Sequence, residues 1–157
     1  MRMRSAQPQD APILSRLALA SKGVWGYDAG FLEQCRDELA VTRADIATLI
    51  VEVAIDGPGD AAIGFYVLDP SRPDARLDKL YVSPDHQRRG VGRRLWLSAL
   101  RRAARAGAQT LTWDADPHAV PFYARMGAEV IGQAPSGSIP GRTLPVMRAA
   151  VPTDPAP

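Results

Sequence analysis

The chain has 157 residues and a formal net charge of +2, a length that suits one domain able to bury a core without covalent staples. Cys35 is its only cysteine, which excludes an intrachain disulfide. No apolar run approaches the ~20 residues of a membrane span, and Met1–Ser5 has no apolar signal core, so the expectation is a cytoplasmic protein without a membrane partner.

Met1 to Ala6 alternates and predicts a first strand. Asp10 stands as an N-cap with Pro12 in the first turn of a helix carrying Leu14, Leu17 and Ala18 to about Ser21, and Gly23 breaks it. Lys22 to Tyr27 is an aromatic loop. Asp28 can cap a second helix through Phe31, Leu32, Cys35 and Leu39, and Thr42 can cap a single turn. Ala47–Ile55, Ala62–Leu68 and Arg76–Val82 predict three strands separated by the Asp56–Asp60 and Asp69–Asp74 turns. A helix from Val91 to about Ala106, a strand over 109–114, a short helix over 119–126, a strand from Glu129, a Pro/Gly loop over 135–141 and a strand over 142–149 complete the series. This order suits an α/β class with a mixed sheet flanked by helices. One domain over 1–150 and a disordered tail over 151–157 are expected.

Chemistry concentrates at Gln87-Arg88-Arg89-Gly90-Val91-Gly92, between the strand ending at Val82 and the helix opening at Val91. A glycine-bearing turn feeding a helix start leaves backbone N–H groups without partners, and the helix dipole adds positive potential, so the turn suits a phosphate or diphosphate. It is neither a dinucleotide fingerprint nor a Walker A loop: the glycine spacing differs from the first and the Gly-Lys-Ser/Thr ending of the second is missing. Arginines 88, 89, 93, 94, 101, 102 and 105 surround it. A nucleic-acid surface is the rival reading. Little aromatic interleaving and a balanced remainder favour a local anionic ligand instead. With two histidines and one cysteine, a metal site has little support.

This turn resembles the Gln/Arg-x-x-Gly-x-Gly/Ala acetyl-CoA signature of the GNAT N-acetyltransferase superfamily. A second segment, Ala115 to Gly127, is similar to the family's Asn-x-x-Ala-x-x-Phe-Tyr-x-x-x-Gly-Phe element through Phe122, Tyr123 and Gly127, with His118 near the Asn position and Ala128 at the last Phe. The resemblance covers roughly residues 2–149. It implies the GNAT acyl-CoA N-acyltransferase fold, a mostly antiparallel sheet whose fourth and fifth strands splay apart. It also implies direct acetyl transfer from acetyl-CoA to an amine of a small molecule or peptide, and it admits a homodimer.

On that resemblance the diphosphate sits on Gln87, Arg88, Arg89, Gly90, Val91, Gly92 and Arg93. The pantetheine arm pairs with the edge at Leu80, Tyr81 and Val82, and His118 can bond the same cofactor. An N–H of Leu80 or Val82 would polarise the thioester carbonyl, a contribution of roughly 3–4 kcal/mol. Tyr123 would be the general acid beside the sulfur; the alternative is a core tyrosine with a satisfied hydroxyl. At the position of the family's frequent basic Glu this chain has Arg76, so Asp78 is the candidate base or water anchor, with a structural ion pair to Arg76 as the alternative. Trp25, Tyr27 and Arg142 are candidate acceptor-binding residues; the alternative for the two aromatics is that they plug the fold. A non-catalytic acyl-CoA sensor and an aminoacyl-tRNA-directed member are the competing functional classes.

Overall fold

The computed structural model describes residues 1–71 and 73–153. In chain order the elements are β1 (Arg2–Ser5), α1 (Ala11–Gly23), α2 (Ala29–Leu39), α3 (Arg43–Thr48), β2 (Ile50–Asp56), β3 (Ala61–Asp69), β4 (Asp74–Val82), α4 (Val91–Arg105), β5 (Thr110–Asp114), α5 (Val120–Arg125), β6 (Glu129–Pro135) and β7 (Thr143–Ala150). They build a seven-stranded sheet in the order β1-β2-β3-β4-β5-β7-β6. Every neighbouring pair is antiparallel except β4–β5, which is parallel.

Helices cover both faces, and β2 and β3 are buried on both sides, which is why their sequences run apolar without clean alternation. Leu14, Leu17 and Ala18 of α1 and Cys35 and Leu39 of α2 pack with Val51, Val53, Phe65 and Val67. Across the sheet, Leu95, Trp96, Ala99 and Ala103 of α4 pack with Tyr66, Leu68, Leu77 and Leu111. Gly64 sets how closely α4 approaches: a Cβ there would lie 2.9 Å from Leu95 Cδ1 and 3.0 Å from the Tyr81 carbonyl oxygen.

Local chemistry accounts for most boundaries. Asp28 accepts from the Phe31 N–H at 2.8 Å, and Thr42 and Asp45 form a reciprocal capping box. Asp10 behaves differently from the expectation. It occupies the cap position of α1 but its side chain does not cap that helix. The carboxylate instead accepts from Gln7 N–H and from both terminal nitrogens of Arg4. Those bonds, Arg4 first, hold its pKa below the usual aspartate value against burial. The strand expected from Ala47 begins at Ile50 because the α3 box carries the helix on to Thr48.

The expected tail starts too early at 151. Val151 is 6% exposed and donates its N–H to Gln109 C=O at 2.9 Å. The rest of that expectation, over 154–157, lies outside the described residues. No described helix is long and apolar enough to cross a membrane.

Candidate active site

The parallel pairing of β4 with β5 spans only Asp74–Arg76 against Thr110–Thr112. Beyond Arg76 the strands part, so Leu77–Val82 pair with β3 alone. Ser83 N–H bonds Ile63 C=O at 2.9 Å. Bonded and unbonded positions alternate along an antiparallel ladder. The N–H groups of Val82 and Leu80 therefore face away from β3, into the gap. Gln87 crosses to this strand end, its Nε2 donating to Val82 C=O at 3.3 Å.

The turn after β4 delivers the chain to α4. Gly90 caps the helix at φ 82° and Arg88 has φ 58°, a left-handed region that is inexpensive only for glycine. The helix ladder opens with Arg94 N–H on Gly90 C=O at 3.1 Å, leaving the first-turn N–H groups of Val91, Gly92 and Arg93 without a helical partner. Arg88, Arg89, Arg93 and Arg94 are exposed, and no ion pair joins them to an acid among the described residues. A Cβ at Gly92 would make ordinary contacts, 3.4 Å from the Phe122 ring and 3.7 Å from Val82 Cγ2. The strand end, the helix start and α5 thus meet at that residue.

Tyr123 of α5 is 6% exposed and sits among Trp96, Trp113 and Phe122, with ring centroids 4.8–5.5 Å away. Among the described residues its hydroxyl has no hydrogen-bond partner. Burial pushes its pKa well above the usual tyrosine value, so the phenol stays protonated through neutral pH. The core-tyrosine alternative holds for the ring, but its requirement of a satisfied hydroxyl is not met.

On the α1–α2 side of the gap lies a cavity of about 100 Å³. Arg142, Asp78, Tyr81, Glu38, Ser136 and Cys35 are among its lining residues. Arg76 does not pair with Asp78. It reaches Asp114 at 3.0 Å, and Asp78 is held by Lys79 Nζ at 2.7 Å. Asp78 is the extra residue of a bulge, between the Leu77–Leu68 and Lys79–Val67 pairs, which changes the direction expected from simple alternation. His86, in the turn after β4, is half-buried, and its Nδ1 is shut from solvent without a partner among the described residues.

The residue that the sequence reading missed is Asp116. Lys22 Nζ donates to it at 2.9 Å, Tyr27 Oη at 2.9 Å and the His118 N–H at 2.9 Å; Arg142 lies 3.6 Å away. Burial raises its pKa, but Lys22, the His118 N–H and Tyr27 together outweigh that and hold it below the usual value. Tyr27 responds oppositely, pushed up to about 12 by burial and by its bond to Asp116. Arg142 donates to Tyr27 Oη at 2.7 Å, so Tyr27 stands behind the cavity wall and supports it. Trp25 does not plug the fold: it is 40% exposed and stacks on the His118 ring at 5.2 Å. Counting was the available signal. In the pattern Asn-x-x-Ala-x-x-Phe-Tyr, the Asn precedes the Tyr by seven positions, which is Asp116 here, with Ala119 at the Ala; His118 is displaced by two.

Comparison with known proteins matches this architecture. The family model "Acetyltransferase (GNAT) domain" matches residues 29–136, and the chain belongs to that family. A GCN5-related N-acetyltransferase from Rhodopseudomonas palustris superposes with a TM-score of 0.79 at 27% identity, covering 95% of this chain and 94% of that one. The PaiA N-acetyltransferase of Thermoplasma acidophilum, in complex with coenzyme A, gives 0.77 at 19% identity over 95% and 98%. YncA of Salmonella typhimurium, with its cofactor acetyl-CoA, gives 0.69 at 19% identity over 100% and 97%. Acetyl-CoA is the acyl donor of GNAT enzymes.

Proposed function

We propose that this protein is an N-acetyltransferase that transfers the acetyl group of acetyl-CoA directly to an amine of a small molecule or peptide in a ternary complex. The observation that carries this reading is the open edge of β4 running into a helix start with free N–H groups. Amide-like chains pair with such edges, and diphosphates settle on such helix starts. The residues present suit the group: the Gly90 turn, the cations of Arg88, Arg89 and Arg93, and the first-turn N–H groups of Val91, Gly92 and Arg93, which have no helical partner.

When bound, acetyl-CoA supplies an activated acetyl group and a thiolate leaving group of solution pKa near ~8.5, taking cysteine as the guide. The N–H groups of Arg88–Arg93 hold the diphosphate. Leu80, Tyr81 and Val82 orient the amide-bearing arm, and the N–H of Leu80 or Val82 draws charge onto the carbonyl oxygen. Tyr123 Oη, protonated and without a competing acceptor among the described residues, gives its proton to the leaving sulfur. Asp78 takes the proton that the acceptor ammonium must lose, directly or through water. Arg142, backed by Tyr27, faces the acceptor, while Trp25 with His118 forms an exposed aromatic platform near Tyr27.

Titration calorimetry with coenzyme A tests the donor site, with saturable micromolar binding expected. An amine panel read by release of the coenzyme thiol tests turnover. No heat at millimolar nucleotide would remove the assignment. Binding without turnover on any amine would point instead to an acyl-CoA sensor.

A further inference from the structure

The cavity between α2, β4 and the 136–142 loop is unevenly satisfied, and the imbalance has a direction. Arg142 has five N–H donors. One meets Tyr27 Oη at 2.7 Å, while the Asp116 carboxylate stands at 3.6 Å, outside hydrogen-bond range. Lys22 gives one of its three protons to the same Asp116. One carboxylate therefore serves two cations, and this wall carries one excess positive charge. Ser136 adds to it. Its Oγ already accepts the N–H groups of Ser138 and Ile139 at 3.3 and 3.1 Å. Its own proton has only a long 3.5 Å contact with Ser138 Oγ. The two residues are fixed together, Ser136 N–H on Arg142 C=O at 2.8 Å.

Glu38 of α2 supplies the opposite charge. Its carboxylate rests against Gly137, where a Cβ would come within 3.3 Å of Oε1. The other acids of the cavity are engaged: Asp78 with Lys79, Asp114 with Arg76, Asp116 with Lys22. Glu38 is exposed to solvent and has no cation or protein hydrogen-bond donor among the described residues. The cavity is net neutral but dipolar, with spare donors at Arg142, a weakly engaged hydroxyl at Ser136 and a carboxylate without a protein partner at Glu38.

Resting on the reading of this cavity as the acceptor side, we infer that the acceptor is a small amino-acid-like zwitterion, its carboxylate held by Arg142 and Ser136 and its ammonium drawn in by Glu38. A cation without a carboxylate would leave the Arg142 wall unfilled, and a neutral amide would satisfy it less well, because charged hydrogen bonds are the stronger ones.

The test uses matched trios of ligands: L-alanine, L-methionine and L-phenylalanine, each with its carboxamide and its decarboxylated amine. They are titrated into the full-length protein, free and saturated with coenzyme A, while backbone amide shifts of residues 136–142 are followed by NMR. At least one amino acid is expected to move those amides and to bind at least tenfold tighter than its carboxamide and its amine. Arg142→Gln or Ser136→Ala should remove that preference for the carboxylate. Glu38→Gln should weaken the amino acid at least fivefold while leaving coenzyme A affinity unchanged. Equal affinities within each trio, tighter binding of the amines, or no movement of residues 136–142 with any of the nine ligands would overturn the inference. Loss of coenzyme A binding alone would overturn the donor assignment, and the titration of the free protein would still read the acceptor wall.

Discussion

Tyr123 is held by its ring, while its oxygen has no hydrogen-bond partner among the described residues. That division separates two effects of substitution. Tyr123→Phe keeps the contacts with Trp96 and Trp113 and removes only the proton donor. We expect kcat to fall by roughly 10²-fold or more, within the range for a general acid, with coenzyme A affinity within about twofold of wild type by calorimetry. An unchanged kcat would reduce Tyr123 to packing. Gly90 and Gly92 separate in the same way. A side chain at Gly90 must adopt φ 82°, which costs of order 1 kcal/mol before any ligand is considered. Gly92 lies inside the helix, so Gly92→Asp leaves the backbone unstrained and sets a carboxylate at the helix start. The Michaelis constant for acetyl-CoA should rise at least tenfold with little change in melting temperature; unchanged kinetics would count against a diphosphate at that turn.

At the scale of elements, the site depends on where α4 is pressed against the sheet. Gly64 sets that distance, so Gly64→Ala should overpack Leu95 and the Tyr81 carbonyl and cost about 1–3 kcal/mol in urea unfolding. It should also weaken coenzyme A binding by displacing the α4 start, whereas a purely thermodynamic loss with intact affinity would separate the two. Much of this element scale was legible beforehand. The caps at Asp28 and Thr42, the glycine turn and the strand runs each carry a local signal. The partners of Asp78 and Asp116 were not legible, because a bulge in β4 and contacts across 94 positions of chain decide them. Pairing across a sheet leaves no periodic trace in one sequence. The Asp116 position itself was available from motif spacing alone.

At the scale of the whole molecule, Asp116 ties the end of α1 and the α1–α2 loop to the β6–β7 loop through Lys22, Tyr27 and Arg142. Its pKa is lower in the fold than in the unfolded chain. The stabilisation is therefore fully present above the unfolded value near ~3.9 and is lost as pH falls through the lower folded value. Asp116→Asn should cost roughly 1–3 kcal/mol at pH 7 and flatten the decline of stability between about pH 5 and pH 2; an unaltered slope in denaturant titrations across that range would show that the tie contributes nothing. The parting of β4 from β5 has a dynamic counterpart. An amide hydrogen that no carbonyl shields trades with solvent deuterium quickly, so Leu80 and Val82 should label early in the ligand-free protein while Tyr81, bonded to β3, labels late. Adding the nucleotide thioester should slow the two fast sites selectively, turning a missing rung of the sheet into a clock for occupancy.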